Sequence, residues 1–398
     1  MWYTLINKTR PTRGKEVDML TLVGTYPPIH CGIATFNRDL RQGLLAAGLE
    51  AKVAVVAHPE EARLAFPAEV KAVLSKEERP AYLDLAKRLK GPVILQHEYG
   101  LYGGRWGEWV LDLLEGGGPR VVVLHTLLKA LPPEIGPEDF AYMRRLLVEI
   151  AHKAEALVSL HPEGEGVLKG LGVTTRVVHI PHGVPDLPRP DREALKRALG
   201  LEGRFLLVSY GLLGPGKGLE WALEVLAQVL RQNPRVLYLV AGRLHPNLER
   251  REGRRFLEGL WQKAEALGVR PALLLREGYL SEEELYRVVG AADLFLLPYP
   301  NLEQASSGTL SYALALGKAI LSTPFWHAQT ALAEGRGVVL PREASLWAQA
   351  ILGLSESPGR IRELEERAYA YARAFTWPRV GLAYRRLLEV EGVRRRVA

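Results

Sequence analysis

Three stretches of the chain place glycine, lysine or serine where an apolar run gives way to a helical pattern, an arrangement that can hold an anion. The most charged is SYGLLGPGKGLEWAL, residues 209–223. Gly211, Gly214, Gly216 and Gly218 surround Lys217 there. The glycines allow a backbone cradle, and the lysine brings a point charge to a phosphate. The spacing Gly211-x4-Gly216-Lys217 approaches a P-loop, but a P-loop needs Ser or Thr after the lysine to hold magnesium, and Gly218 stands there. A loop with a solvated lysine is the plainer alternative. The second stretch is TYPPIHCGIATFNRDL, 25–40. A strand ends at Gly24, two prolines turn the chain, and a helix begins near Ile33, with Gly32 just before it. Free N–H groups and a partial positive charge make such a helix start attractive to phosphate. The third is PYPNLEQASSGTLSYALALGKAILSTPFWHA, 298–328. Ser306 or Ser307 can cap a helix that starts near Gly308, and the amides of Ser307, Gly308 and Thr309 can hold an anion. An ordinary capped helix accounts for the serines but less well for Glu303 and Gln304.

Two histidines follow apolar strands. LQHEYGLYGGRWGEW (95–109) carries His97, Glu98 and Trp106, and LHTLL (124–128) carries His125. The carboxyl ends of strands in an α/β sheet form the ligand crevice, so both histidines can face it. A structural role is the alternative for each. Trp106 and Trp109 can stack on a sugar ring or pack on one side of a helix. His179 and His182 lack a companion ligand cluster, and there is no HExxH, so no metal site is expected.

The elements that must position these residues show a regular rhythm. MLTLVG (19–24), KVAVVA (52–57), PVILQ (92–96), RVVVLH (120–125), ALVSL (156–160) and RVVHI (176–180) are continuous apolar runs of the kind buried on both faces of a parallel sheet. Amphipathic stretches such as 35–47 and 137–153 lie between them. PHGVPDLPRPD (181–191), with four prolines in eleven residues, reads as a linker. The rhythm restarts with FLLVSY (205–210), VLYLVA (236–241), PALLL (271–275), DLFLLP (293–298), KAILST (318–323) and GVVLP (337–341). Two doubly wound α/β domains with a cleft between them follow, and the segment 358–397 reads as helical.

Composition narrows the class. The 398 residues are 47% hydrophobic and 24% charged, which excludes a mainly disordered chain. One cysteine excludes an internal disulfide. The net charge of +7 favours anionic partners or a merely soluble surface. Arginine supplies 38 of the 52 basic residues, and this, with three methionines and one cysteine, suits a thermophile. No run is long and apolar enough for a transmembrane helix, and the first residues lack a signal core. The expected location is the cytoplasm, with peripheral contact at the inner membrane face left open.

Taken in order, YPPIHCGIATF, QHEYGLYGG, IPHGVPD, GLLGPGKG, AADLFLLPY and SSGTLSYALALGK resemble the family 4 glycosyltransferases, group 1 enzymes of the two-domain GT-B fold. SGTLSYALALGKAILSTPFWHA resembles one subgroup of them. The resemblance runs from about Leu20 to Pro341. It implies an N-terminal extension at 1–17, a Rossmann-like acceptor domain at 18–185, a Rossmann-like donor domain at 186–372, and a C-terminal helix at 373–398 that crosses back to the first domain. It implies retaining, metal-independent transfer of a hexose from a nucleotide-sugar of the GDP-mannose or UDP-glucose type to an acceptor hydroxyl. No tightly bound cofactor is implied, and the acceptor is a carbohydrate or glycolipid.

By resemblance, Lys217 neutralises the donor diphosphate and His125 lies near the transferred sugar. Gly32, Gly214, Gly216, Glu303, Gln304, Ser307, Gly308, Thr309 and Tyr312 surround the donor. His97, Glu98 and Trp106 face the acceptor. Two positions depart from the family. Gly211-Leu212-Leu213 replaces the usual Gly-Arg-Leu, removing an expected phosphate-contacting arginine. The family's two glutamates eight positions apart fall on Gln304 and Tyr312 when the frame is anchored on Gly317, or on Glu303 and Ser311 in the adjacent frame. The first frame keeps helix and strand aligned without a gap. These losses motivate an alternative: a non-catalytic sugar-nucleotide or polysaccharide-binding protein on the same fold. A P-loop NTPase rests on Lys217 spacing alone, and a nucleic-acid binder on charge alone, with no recognition motif.

Overall fold

The computed structural model describes residues 19–127, 129–131 and 135–397. The expected extension at 1–17 lies outside them. The first half builds a seven-stranded parallel sheet from β1 (Leu20–Gly24), β2 (Ala51–Ala57), β3 (Val70–Ser75), β4 (Val93–His97), β5 (Arg120–Leu124), β6 (Ala156–Ser159) and β7 (Arg176–His179). Their spatial order is β3-β2-β1-β4-β5-β6-β7. The second half repeats the plan with β8 (Phe205–Tyr210), β9 (Val236–Gly242), β10 (Leu273–Glu277), β11 (Leu294–Leu297), β12 (Ile320–Ser322) and β13 (Val338–Val339), ordered β10-β9-β8-β11-β12-β13. This is the expected pair of doubly wound Rossmann-like sheets. Every apolar run predicted as a strand contributes one.

The strand absent from the expectation is β3. Its sequence VKAVLS alternates, and its burial alternates with it: Lys71 and Val73 are exposed while Leu74 is buried. An edge strand needs only one apolar face, so it lacks the continuous run that marks the central strands.

Strand order reverses between β1 and β4 in the first sheet and between β8 and β11 in the second. A crevice opens outside the carboxyl ends of strands at each such point. At the carboxyl ends of β1, β4, β5, β8 and β11, or just beyond them, lie Gly32, His97, His125, Lys217 and Glu303–Thr309.

Helix α1 (Gly32–Ala46) starts directly after the β1 loop. Cys31 caps it, its Sγ accepting from the Ala34 amide at 3.3 Å. The helix reaching furthest along the chain, Trp377–Val397, lies against α1 rather than on the second sheet. Trp377, Val380, Tyr384 and Leu387 join Leu22, Leu40 and Leu44 in one buried cluster. The two helices touch at paired glycines. A Cβ on Gly381 would sit 2.0 Å from the Gly43 carbonyl oxygen, and one on Gly43 2.2 Å from that of Trp377, so neither position has room for a side chain. The proline-rich segment 181–191 contains no regular helix, and it meets the residue just before the helix Trp377–Val397 at a parallel bridge between Val184 and Thr376. The Val184 amide donates to Phe375 O at 2.9 Å, and the Trp377 amide donates to Val184 O at 3.0 Å.

Candidate functional site

The second half contributes a lysine with no acidic partner among the described residues. After β8 the chain passes through Gly211 to a short turn at Pro215–Lys217, and a helix runs from Leu219 to Leu230. Lys217 Nζ donates to the Tyr299 hydroxyl at 2.8 Å and lies 4.3 Å from the centre of that ring. No ion pair among the described residues includes Lys217. A Cβ on Gly211 would sit 3.4 Å from both Lys217 Nζ and Thr309 Oγ1, so the cation and the threonine hydroxyl flank one point at the end of β8. Gly218 explains why the P-loop pattern breaks. Its φ is +64°, and a Cβ there would come 2.0 Å from the Pro298 carbonyl oxygen. Neither Ser nor Thr fits, so the magnesium-holding hydroxyl of a P-loop has no place in this turn. Gly216 faces open space, and Gly214 has side-chain neighbours no nearer than 3.4 Å.

The serine loop leads into the helix Gly308–Ala315. Ser307 caps it through Oγ, which accepts from the Leu310 amide at 3.2 Å. The expectation gave three amides to an anion, but the Ser307 N–H donates to His327 Nδ1 at 2.9 Å. Among the described residues, the amides of Gly308 and Thr309 have no acceptor, as the first turn of a helix leaves them. Glu303 is exposed, and Gln304 turns its amide to the Ser306 carbonyl at 2.8 Å. Of the two frames for the second glutamate position, Ser311 is buried and bonded to Ser307 O, whereas Tyr312 is half-buried with its ring 5.8 Å from that of Tyr210. Tyr312 is therefore the accessible side chain.

The first half faces this with neutral groups. Gly32 is exposed, with nothing within 4 Å of the place a Cβ would occupy. Phe36, one turn into α1, sits edge-on to His125 at 4.7 Å, His182 at 5.0 Å and Trp377 at 5.1 Å. His125 Nε2 lies 2.9 Å from Gln96 Oε1. Burial, with His182 and His97 nearby, pulls the His125 pKa down to about 3. Burial likewise lowers His182 and His97 to about 4, and His327, which the second half brings near His182, to about 3 with neighbouring histidines helping. At neutral pH this wall carries imidazole, not imidazolium.

The expected acceptor residues separate. His97 is only 1% exposed and packs on Tyr99, so its ring lies beneath the crevice surface rather than lining it. Its Nδ1 is buried without a partner among the described residues. Glu98 is half-buried. Burial raises its pKa, against hydrogen bonds from Thr126 and the Tyr99 amide. Trp106 donates its indole N–H to Asp139 at 2.9 Å and holds a φ of +53°. Trp109 packs edge-on to Tyr82 at 5.5 Å.

The halves touch on both sides of these residues. Trp326 of the second half lodges in the apolar cluster of the first, 4.0 Å from His161, with Lys129 over its face at 4.2 Å and its N–H on Glu163 at 3.0 Å. Ser306 donates to the His125 carbonyl at 3.3 Å. Across the other side, Arg38 pairs with Glu282 at 2.8 Å and His30 meets Tyr279 at 4.3 Å. A cavity of about 340 Å³ lies there, between Pro28–His30 and Arg243, Pro246 and Arg250.

Tyr299, His182, His327 and Gln96 were not among the residues expected here. Tyr299 had the best signal, since it stands two residues beyond β11, at a strand end beside the reversal.

Comparison with known proteins fits this arrangement. The family model of "Glycosyl transferases group 1" matches residues 204–357. The chain is 32% identical over 194 residues to a GDP-mannose:glycolipid 4-beta-D-mannosyltransferase of Xanthomonas campestris pv. campestris, covering 47% of this chain and 49% of that one. It is 26% identical over 314 residues to a D-inositol 3-phosphate glycosyltransferase of Nocardia farcinica, covering 73% and 65%. The chain thus spans about half the length of the mannosyltransferases it matches. In structure it is similar to Anabaena Alr3699/HepE in complex with UDP, with a TM-score of 0.75 at 15% identity over 94% of this chain and 100% of that one. It is also similar to a sucrose-phosphate synthase from Thermosynechococcus elongatus, with a TM-score of 0.74 at 18% identity over the same shares. These likenesses establish the fold as GT-B. Residues 204–357 are thus similar to the group 1 glycosyl transferases, and the paired sheets share the GT-B fold.

Proposed function

We propose that this protein is a retaining, metal-independent glycosyltransferase that moves a hexose from a nucleotide-sugar to an acceptor hydroxyl. The observation that carries the reading is Lys217. It is a cation with no carboxylate partner among the described residues, held by Tyr299 beside Thr309 and the amides that open the helix Gly308–Ala315. A diphosphate placed there meets a point charge and a helix N-terminus together. As the sugar–phosphate bond breaks, the leaving diphosphate gathers negative charge, and these preorganised donors stabilise it in a site that excludes water. Gly32 leaves room for the donor from the opposite wall. A departing phosphate oxygen takes the acceptor proton, so no protein nucleophile is required. His125 accepts a hydrogen bond near the transferred sugar.

In this reading residues 186–372 hold the donor, residues 18–185 the acceptor, and the segment from 373 onward returns to the first domain. A GDP-mannose or UDP-glucose type donor is supported by the donor named for the mannosyltransferase relatives and by the UDP in the Anabaena structure. A glycolipid acceptor rests on the mannosyltransferase names alone, and a cytoplasmic location on the absence of a spanning helix among the described residues.

The test is a thermal-shift panel of GDP, UDP and their sugar conjugates, with Lys217→Ala as control, followed by transfer assays with the donor that binds. A ligand that binds only the folded protein raises its apparent stability by mass action. A shift specific to one base and sugar, lost in Lys217→Ala and followed by transfer, supports the reading. Binding without turnover on any acceptor favours the non-catalytic alternative.

A further inference from the structure

Two buried amides, Asn37 and Gln96, form a line that ends at His125, and its polarity is fixed from one end. The Thr25 carbonyl can only accept, so the Asn37 atom 3.2 Å from it is the amide nitrogen. Asn37 Oδ1 is then turned toward Gln96 and accepts from Gln96 Nε2 at 3.3 Å. Gln96 Oε1 is in turn the atom facing His125 Nε2 at 2.9 Å. An amide oxygen can only accept, so that nitrogen carries the proton and Nδ1 is left with a bare lone pair. Asn37 and Gln96 are both fully buried, so no water competes for these bonds. Nδ1 has no hydrogen-bond partner among the described residues. The backbone of His125 is held from both halves, its N–H on His97 O at 3.0 Å and its carbonyl on Ser306.

We propose that Asn37 and Gln96 are positioning residues that lock His125 in its Nε2–H tautomer and present Nδ1 as a permanent acceptor to a hydroxyl of the transferred sugar. The second part rests on the proposed transfer. The first does not. The groups facing the ring are Phe36 from α1, His182 from the linker and His97 from the end of β4. None brings a negative charge that would hold a second proton on it. Burial acts the same way, and the ring stays neutral through the physiological range. Nδ1 therefore accepts at every pH at which the protein works.

Protein labelled with 15N-histidine, with the His125 signals assigned by their loss in His125→Gln, reads the tautomer directly. The expected result is a single neutral form, protonated at Nε2 and bare at Nδ1, from pH 8 down to pH 5. A proton on Nδ1, or a mixture of tautomers, overturns the relay. Asn37→Ala frees the Gln96 amide to turn over and offer its NH2 to the ring, so the variant should show both tautomers. Its kcat should fall about 10–100-fold, the range seen when a group that orients a histidine is removed, with the donor-induced thermal shift unchanged. Gln96→Leu provides a second route to the same loss if Asn37→Ala does not fold. A folded Asn37→Ala or Gln96→Leu protein with unmixed Nε2–H and kcat within twofold of the parent overturns the positioning role. A locked Nε2–H form in a parent protein that transfers no sugar supports the relay and overturns the proposed function instead.

Discussion

The two edges of the second sheet treat positive charge in opposite ways. At the amino edge, where β11 and β12 begin, the buried Lys196 and Lys318 and the half-buried Arg192 each have a carboxylate. Lys196 lies 2.6 Å from Asp293, Arg192 2.8 Å from Glu365, and Lys318 3.6 Å from Glu365. Asp293 also accepts from the Leu206 amide at 2.7 Å, so it ties a helix to β8 and β11 at once. At the carboxyl edge, Lys217 faces a tyrosine hydroxyl and a helix start. One edge is neutralised from within and holds the sheet together. The other leaves its charge for something that arrives. The facing wall of the first sheet completes the contrast, with imidazoles kept neutral so that they neither compete with Lys217 for an anion nor repel it.

The contrast can be broken experimentally, starting with the largest effect. Asp293→Ala leaves Lys196 buried without its partner and should cost about 3–5 kcal/mol of unfolding free energy, read by urea denaturation. Transfer per folded molecule should not change. A loss below 1 kcal/mol would show that the amino edge does not depend on this pairing. Lys217→Ala should do the reverse. Its kcat/KM should drop about 100-fold or more while stability moves by less than about 1 kcal/mol. Equal damage to stability would make Lys217 a structural cation like Lys196.

The neutral wall predicts a pH dependence. The folded-state pKa values of His97, His125, His182 and His327 lie near 3–4, below the ordinary 6.5. The unfolded chain therefore binds more protons between these limits. The stability these groups contribute is complete above pH 6.5 and is lost as pH falls toward 4. Each accounts for up to about 2 kcal/mol by pH 5. A melting temperature that holds steady from pH 7 to pH 5 would contradict their burial as neutral rings. The smallest expected effect is that of Trp326→Phe, which keeps the ring in the first-half cluster but deletes the indole N–H bond to Glu163. It should cost about 1 kcal/mol, read by thermal unfolding.

How much of this was legible depends on the range of the contact involved. The central strands announced themselves because a strand buried on both faces must be apolar throughout. β3 did not, because one of its faces is wet. The three strand-to-helix loops could be placed because glycine, lysine and serine signal locally. Long-range partners left no such mark. Tyr299 meets Lys217 across 82 residues, Trp326 meets Glu163 across 163, and Gln96 meets Asn37 across 59. Nothing in a helical or strand period encodes those distances. The acceptor of the Ser307 amide is hidden for the same reason, since His327 lies twenty residues on, beyond the next strand.

The position of the helix Trp377–Val397 has a consequence for how the protein is made. Ribosomes deliver the first sheet long before that helix, and domains generally fold as units in the order of synthesis. Here the order fails. The apolar face formed by Leu22, Leu40 and Leu44 waits for Trp377, Val380 and Tyr384, which are translated only after the entire second sheet. The second half can close its own core while the first remains open on one side. A nascent chain stalled before residue 377 should therefore expose that face to chaperones.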